Sequence, residues 1–180
     1  KLYAYDTNGN RSAVPLAVDS FTATSTRQNL NFEPEYATEL VTPGTPATST
    51  PIITDNDGAE TTAPEGTQFA IPEGYVAPDG YTVFIDPTTG VVTVTALDSP
   101  TLLTVESFEV PVVVTYPDGS VDETVAPFQL DTDGDNTPDM TDTDDDGDGV
   151  DDSTEKEDGT NTKDPNSVAS TIENIDDQTG

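Results

Sequence analysis

The residues of this chain best suited to chemistry lie between Asp131 and Glu155, in the run DTDGDNTPDMTDTDDDGDGVDDSTE. Carboxylates alternate there with small and turn-forming residues. With position 1 at Asp144, Asp146 and Asp148 fall at positions 3 and 5, Gly149 at 6, Asp152 at 9 and Glu155 at 12. That is the D-x-D-x-D-G-x5-E spacing of a calcium loop. With position 1 at Asp131, the same frame takes in Asp133, Asp135, Asn136, Asp139 and Asp142. The two frames are offset by thirteen residues, with Thr143 alone between them.

The spacing follows from coordination chemistry. Ca2+ is a hard cation that takes about six to eight oxygens, and alternate residues of a tightly wound loop converge on one point. Position 7 gives its backbone carbonyl, so the side chains of Thr137 and Val150 are free to vary. Position 6 needs a sharp turn, which Gly149 makes without steric cost and Asn136 tolerates. Glu155 can reach an ion with both oxygens. Asp142 is one carbon shorter, which predicts a weaker or more hydrated first site. Positions 2 and 8 of the second loop, Asp145 and Asp151, are expected to point away from the ion. The competing reading is a solvated, disordered acidic run. Alternation, turn residues and repeat favour about two Ca2+ ions. Asp131, Asp133, Asp135, Thr137, Asp139 and Asp142 would hold one. Asp144, Asp146, Asp148, Val150, Asp152 and Glu155 would hold the other.

Loops this close leave no room for the flanking helices of an EF-hand pair. The run from Asp131 to about Pro165 resembles thrombospondin type 3 repeats in their bacterial form. EKEDGTN (155–161) is similar to the Glu and Gly-Thr that follow the acidic loop there. The resemblance implies tandem calcium loops in which ions largely replace a hydrophobic core. TNTKDP delays the proline usual after Gly-Thr to Pro165, so a further ligand from Asn161 or Asp164 stays open.

The elements that position these loops are strands. TQFAI (67–71), YTVFI (81–85), VVTVTAL (91–97), FEVPVVVTY (108–116) and VDETVAPFQL (121–130) are rich in β-branched and aromatic residues. DPTTG (86–90) and YPDG (116–119) are turn sequences between them. Pro111 and Pro127 remove ladder donors and belong at edges or bulges. TPGTPATSTPIITDNDGAETTAPEG (42–66) is rich in Thr, Pro and Ser. Tyr36, Leu40, Val41, Ile52 and Ile53 punctuate this region and favour short strands between long loops over a flexible stalk. This pattern fits a two-sheet β-sandwich. PEGTQFAIPEG (64–74), IDPTTGVVTV (85–94) and EVPVVVTYPDGSVDE (109–123) are, in that order, similar to the long Rib domain, also called the YPDG domain. The resemblance runs from about Glu33 to Leu130. It implies an immunoglobulin-like sandwich of Gram-positive surface proteins with no catalytic site.

The fold class expected is therefore all-β: a sandwich over 33–130, then an irregular, calcium-organised segment over 131–165. Residues 1–32 read as terminal strands of a preceding domain plus a linker, with a turn at Asp6–Asn10. Residues 166–180 read as a linker or the opening of a next module, with a short helix the alternative from Val168, Ile172 and Ile175. The start at Lys1 in strand-like sequence suggests a piece of a longer protein. No signal or anchoring tail is legible.

Composition narrows the function. With 36 acidic and 5 basic residues the net charge is −31. Nucleic acid and anionic membranes are poor partners for such a surface. The apolar runs are too short to span a bilayer. There is no Cys and no His, which removes Ser-His and Cys-His catalysis and the usual zinc and haem ligands. Lys1, Lys156 and Lys163 are the only lysines. The sandwich therefore cannot staple itself by Lys–Asn amides, disulfides or thioesters, and must rest on its core.

The leading expectation is a non-catalytic stalk or adhesin segment, extracellular at the cell surface or secreted, whose partners are neighbouring domains of its own chain. A second reading has the sandwich contact a host protein or glycan, through aromatics such as Tyr75 and Tyr81 if they are exposed. A third makes the chain an accessory calcium-binding or ligand-binding module of a secreted polysaccharide-degrading enzyme.

Overall fold

Alternation of apolar and polar residues builds the strands. A computed structural model describes residues 5–8, 10–11, 27–167 and 169. In chain order its strands are β1 (Phe32–Glu35), β2 (Glu39–Val41), β3 (Ala47–Ser49), β4 (Ile52–Asp55), β5 (Glu60–Thr61), β6 (Gln68–Ala70), β7 (Tyr81–Ile85), β8 (Val92–Ala96), β9 (Ser107–Thr115) and β10 (Val121–Leu130). One helix, α1 (Asp152–Asp158), follows them. The sheets are β2-β10-β9-β6, β3-β8-β7 and a small β1-β4-β5. All neighbours are antiparallel except β2 and β10.

Every second residue of the long strands points into one shared core. β8 buries Val92, Val94 and Ala96, β9 buries Val110, Val112 and Val114, and β10 buries Ala126, Phe128 and Leu130. Burial of this apolar surface is the main stabilising term, at about 25 cal/mol per Å². The result is an all-β sandwich, as the strand pattern led one to expect. Tyr81 packs in this core at 7% exposure and donates its hydroxyl to the Val105 carbonyl. Tyr75 is half-buried against the same core. Neither is the exposed aromatic that the glycan-contact reading needed.

Pro111 and Pro127 lie in inner strands, yet at locally open stretches. β6 covers β9 only at Val113–Thr115, and β2 covers β10 only at Phe128–Leu130. Each proline therefore has a ladder partner on one side alone, where a missing N–H is tolerated.

The YPDG turn joins β9 to β10, with Tyr116 buried and donating to Asp122 Oδ2 at 2.8 Å. It also does something that a plain hairpin does not. Asp118 Oδ2 accepts the Gln28 N–H at 2.8 Å, Ser120 Oγ accepts that of Asn29 at 3.0 Å, and Gln28 Oε1 accepts that of Asp118 at 3.2 Å. The turn thereby pins the 3-10 turn Gln28–Leu30 that leads into β1.

Near the N-terminus, Tyr5 and Arg11 bridge. Asp6 makes the turn: Oδ1 accepts the N–H groups of Asn8 and Asn10 at 2.8 and 2.9 Å. The expected strands of 1–4 and 12–20, and the helix alternative after Val168, lie outside the described residues.

Candidate metal centre

The acidic run is not an extended coil. It winds into two loops with the same hydrogen bonds thirteen residues apart. At position 1, Asp131 Oδ2 accepts the Asn136 N–H at 3.2 Å and Asp144 Oδ2 accepts that of Gly149 at 2.9 Å. At position 3, Asp133 Oδ1 accepts the Asp135 N–H and Asp146 Oδ1 that of Asp148, at 3.0 and 3.2 Å. At position 5, Asp135 and Asp148 accept the N–H groups of Thr137 and Val150 at 2.6 and 2.8 Å. Short side chains that grip the backbone two residues on are how Asp winds a turn. Position 6 has positive φ in both loops, 76° at Asn136 and 91° at Gly149.

The turns bring the odd-numbered carboxylates together. Oxygens of Asp131, Asp133 and Asp135 lie within 4.8 Å of one another, and so do oxygens of Asp144, Asp146 and Asp148. Position 9 does a different job. Asp139 Oδ1 accepts the Thr132 N–H at 2.7 Å, and Asp152 Oδ1 accepts the Asp145 N–H at 3.0 Å. Their other oxygens meet Lys163 and Lys156. In this arrangement Asp139 and Asp152 brace position 2 instead of joining the clusters. Thr137 is half-buried and Val150 exposed, and position 7 would offer its backbone carbonyl.

Position 12 separates the loops. Each loop makes a helical turn after position 7. The Asp142 N–H bonds the Pro138 carbonyl, and the Glu155 N–H bonds that of Asp151. In the second loop the turn continues as α1, and Gly159 closes it with φ 74°. The Thr160 N–H and hydroxyl then bond the Glu155 carbonyl at 2.9 and 3.3 Å. The segment expected to be irregular thus holds one short helix, and the Gly-Thr pair fixes Glu155 on it. Asn161 and Asp164 make local turns to Lys163 and Asn166. Asp142 caps the next loop: its Oδ1 accepts the N–H groups of Thr143 and Asp144 at 2.7 and 3.0 Å.

The second loop also has oxygens left over. Asp144 Oδ1, Asp146 Oδ2 and both oxygens of Glu155 are buried without a hydrogen-bond partner. Glu155 is 1% exposed and Asp146 8%. An unpartnered buried carboxylate is costly and settles by binding a proton or a cation. Burial, reinforced by Asp148, Glu155 and Asp144, pushes Asp146 up to about 6. Burial raises Glu155 as well. An all-oxygen set of this kind fits Ca2+. The first loop has no such orphaned oxygen, and its Asp133 and Asp135 are exposed.

Asp151 is exposed, as position 8 requires, but Asp145 is not. It is 4% exposed, beside Asp139 and Glu106, and burial first and those carboxylates second push it to about 7. Sequence spacing turned it away from the ion, and on that side Glu106, just before β9, and Asp139 of the first loop lie against it. Lys163 and Glu106 complete that group, and no motif marks either.

The segment is seated on the sandwich by backbone bonds. The Asp131 N–H reaches the Val41 carbonyl at 3.1 Å, and that of Asp139 reaches Leu130 at 2.9 Å.

Residues 29–131, more than half of the chain, match the Long Rib domain family. The match stops at the first residue of the first loop. No curated protein matches the chain. The solved structures to which the chain is similar include the following. The tandem Ig repeats of Dlar share 13% identity over 56% of this chain and 47% of that one, with a TM-score of 0.31. The chain thus spans about half the length of that structure. Domains 4 and 5 of the S-layer protein SbsC share 13% over 71% of this chain and 89% of that one, TM-score 0.29. The ZirS C-terminal domain shares 18% over 72% and 94%, TM-score 0.27.

Proposed function

This chain belongs to the Long Rib domain family, and from that premise we propose that it is a non-catalytic spacer of a cell-surface protein whose acidic segment is a calcium-set joint. Family membership supports reading the sandwich as a stalk module. The calcium half rests on one observation: both oxygens of Glu155 are buried and unpartnered, as are Asp144 Oδ1 and Asp146 Oδ2 of the same loop. In this reading Asp144, Asp146, Asp148, Glu155 and the Val150 carbonyl hold one ion. Asp131, Asp133, Asp135 and the Thr137 carbonyl hold a second, more hydrated one. Asp139, Asp152 and Asp142 shape the loops.

The reading divides the chain into a sandwich and a joint resembling tandem thrombospondin type 3 repeats. It places both outside the cell, on a Gram-positive surface, with the chain's own neighbouring domains as partners. Bound Ca2+ neutralises a self-repelling tract and turns it into a fixed connector. Calorimetric titration of the intact chain tests this. The expected result is about two Ca2+ ions with Kd on the order of 10⁻⁶ to 10⁻³ M, well ahead of Mg2+. No calcium heat above dilution, or equal affinity for Mg2+, would sink it.

A further inference from the structure

Among the described residues three groups of carboxylates converge, and two of them are the loops. The third joins Glu106, Asp139 and Asp145 within 4.8 Å. Each comes from a different part of the molecule. Glu106 immediately precedes β9 and Asp139 braces the first loop. Asp145 is position 2 of the second. Asp139 and Asp145 are 6% and 4% exposed, and Asp145 Oδ1 is buried with no hydrogen-bond partner. Like charges crowded out of water settle by taking up a proton or a cation.

The chain supplies one from beyond α1. The Lys163 ammonium lies 2.8 Å from Glu106 Oε1 and 3.1 Å from Asp139 Oδ2, and the residue is 7% exposed. Those contacts use two of its three donors and leave Asp145 as the remaining wall. Lys156, by contrast, pairs with Asp152 from an exposed position, with 66% of its side chain in solvent. Among the described residues, Lys163 is the basic side chain whose ion pairs reach this cluster.

We infer that Glu106, Asp139 and Asp145 form a third cation site, filled by the chain's own Lys163, which latches both loops to the sandwich. An ammonium can do here what an ion does in the loops, because the oxygens of Asp139 already serve Thr132. The latch does not rest on calcium binding in the loops.

The test compares the intact chain with Lys163→Met, in chelator and in saturating calcium. Amide exchange reads the joint, and calorimetry counts calcium ions. The amides of Asp131, Thr132 and Asp139 hold the joint, through Val41, the Asp139 side chain and Leu130. In Lys163→Met they should exchange at least about tenfold faster in one or both buffers, with β8 and β9 within about twofold. Alternatively the emptied cluster takes up calcium, protection is kept and the stoichiometry rises by one, which also supports a cation site. Unchanged protection with unchanged stoichiometry overturns the inference, as does equal loss throughout β8 and β9. Should Lys163→Met fail to fold, Glu106→Gln removes only the arm at the rim. About threefold faster exchange of the same amides is expected, and no change overturns the latch. If the parent chain binds no calcium, the proposed function falls while the chelator comparison still decides the latch.

Discussion

Loop 1, from Asp131 to Asp142, and loop 2, from Asp144 to Glu155, share the same backbone-gripping bonds at positions 1, 3, 5 and 9. They part at position 12. Loop 1 is cut off by the start of loop 2, and its Asp142 spends an oxygen on capping that start. Loop 2 runs on into α1 and presents Glu155 with both oxygens buried and free. The difference teaches that the D-x-D-x-D pattern specifies the winding of a loop. Whether oxygens are left over for an ion depends on side-chain length and on what covers them.

The largest effect that would test this contrast is at position 12. Glu155→Gln neutralises the one loop 2 carboxylate whose two oxygens are both buried and unpartnered. Calcium affinity at loop 2 should fall about thirtyfold, roughly 2 kcal/mol, by calorimetry. Asp142→Asn should cost loop 1 only about threefold. Equal losses would make the two loops the same site after all.

The contrast also has a pH signature in chelator. Burial puts Asp146 at about 6 and Asp145 at about 7, both above the unfolded value near 4. The folded segment therefore holds more protons than the unfolded one between about pH 4 and 7. These groups support stability at the acid end, and the support is lost as pH rises through 6 and 7. Exchange around loop 2 should thus quicken from about pH 5 to about pH 7.5, after correction for the intrinsic rate. In calcium the sign of the ion's effect is opposite, because protons compete with it and affinity rises over the same window. In loop 1 Asp133 is raised, by burial of a carboxyl lying against Gly147 although the residue as a whole is exposed. A loop 1 response equal to that of loop 2 would break the comparison.

Much of this was legible beforehand because it is local. YTVFI became β7 and VDETVAPFQL became β10, residue for residue. The alternation of Asp gave both clusters, and Gly149 and Asn136 took positive φ where the frame demanded it. What escaped is long-range. Lys163 meets Glu106 across 57 positions, and Gln28 meets Asp118 across 90. A single lysine or glutamine carries no periodicity, so nothing in its neighbourhood announces a partner. The burial of Asp145 escaped for a related reason: loop geometry turns it away from the ion, and only Glu106 and Asp139, distant in sequence, make that side an interior.

A third, smaller effect probes how the loops touch. A Cβ on Gly147 would lie 2.6 Å from Asp133 Oδ2, and the residue has φ 69°. Gly147→Ala therefore pays backbone strain of about 1 kcal/mol and also displaces a loop 1 carboxylate from within loop 2. Calcium affinity at loop 1 should drop about fivefold. The matching Gly134→Ala meets only Thr42, Cγ2 at 3.5 Å and Oγ1 at 3.7 Å, which are ordinary contacts, and should show the strain alone. Equal effects of the two changes would mean that the loops are not packed on each other as the structure has them.

The smallest effect is the sharpest check on whether the two loops share one frame. Position 6 is Asn136 at φ 76° and Gly149 at φ 91°. A Cβ at Gly149 meets nothing within 4 Å, so backbone conformation alone decides what a substitution costs. Asn tolerates the left-handed region far better than other side chains, whereas a β-branched residue costs about 1–2 kcal/mol there. Gly149→Asn should consequently change calcium affinity at loop 2 by no more than about twofold, and Asn136→Gly should shift stability by a few tenths of a kcal/mol. Gly149→Val should cost loop 2 about tenfold, close to 1.4 kcal/mol. If Gly149→Asn were as damaging as Gly149→Val, steric room at position 6 would matter more than its dihedral. The thirteen-residue repeat would then be a coincidence of composition, with Asn136 and Gly149 doing unrelated work.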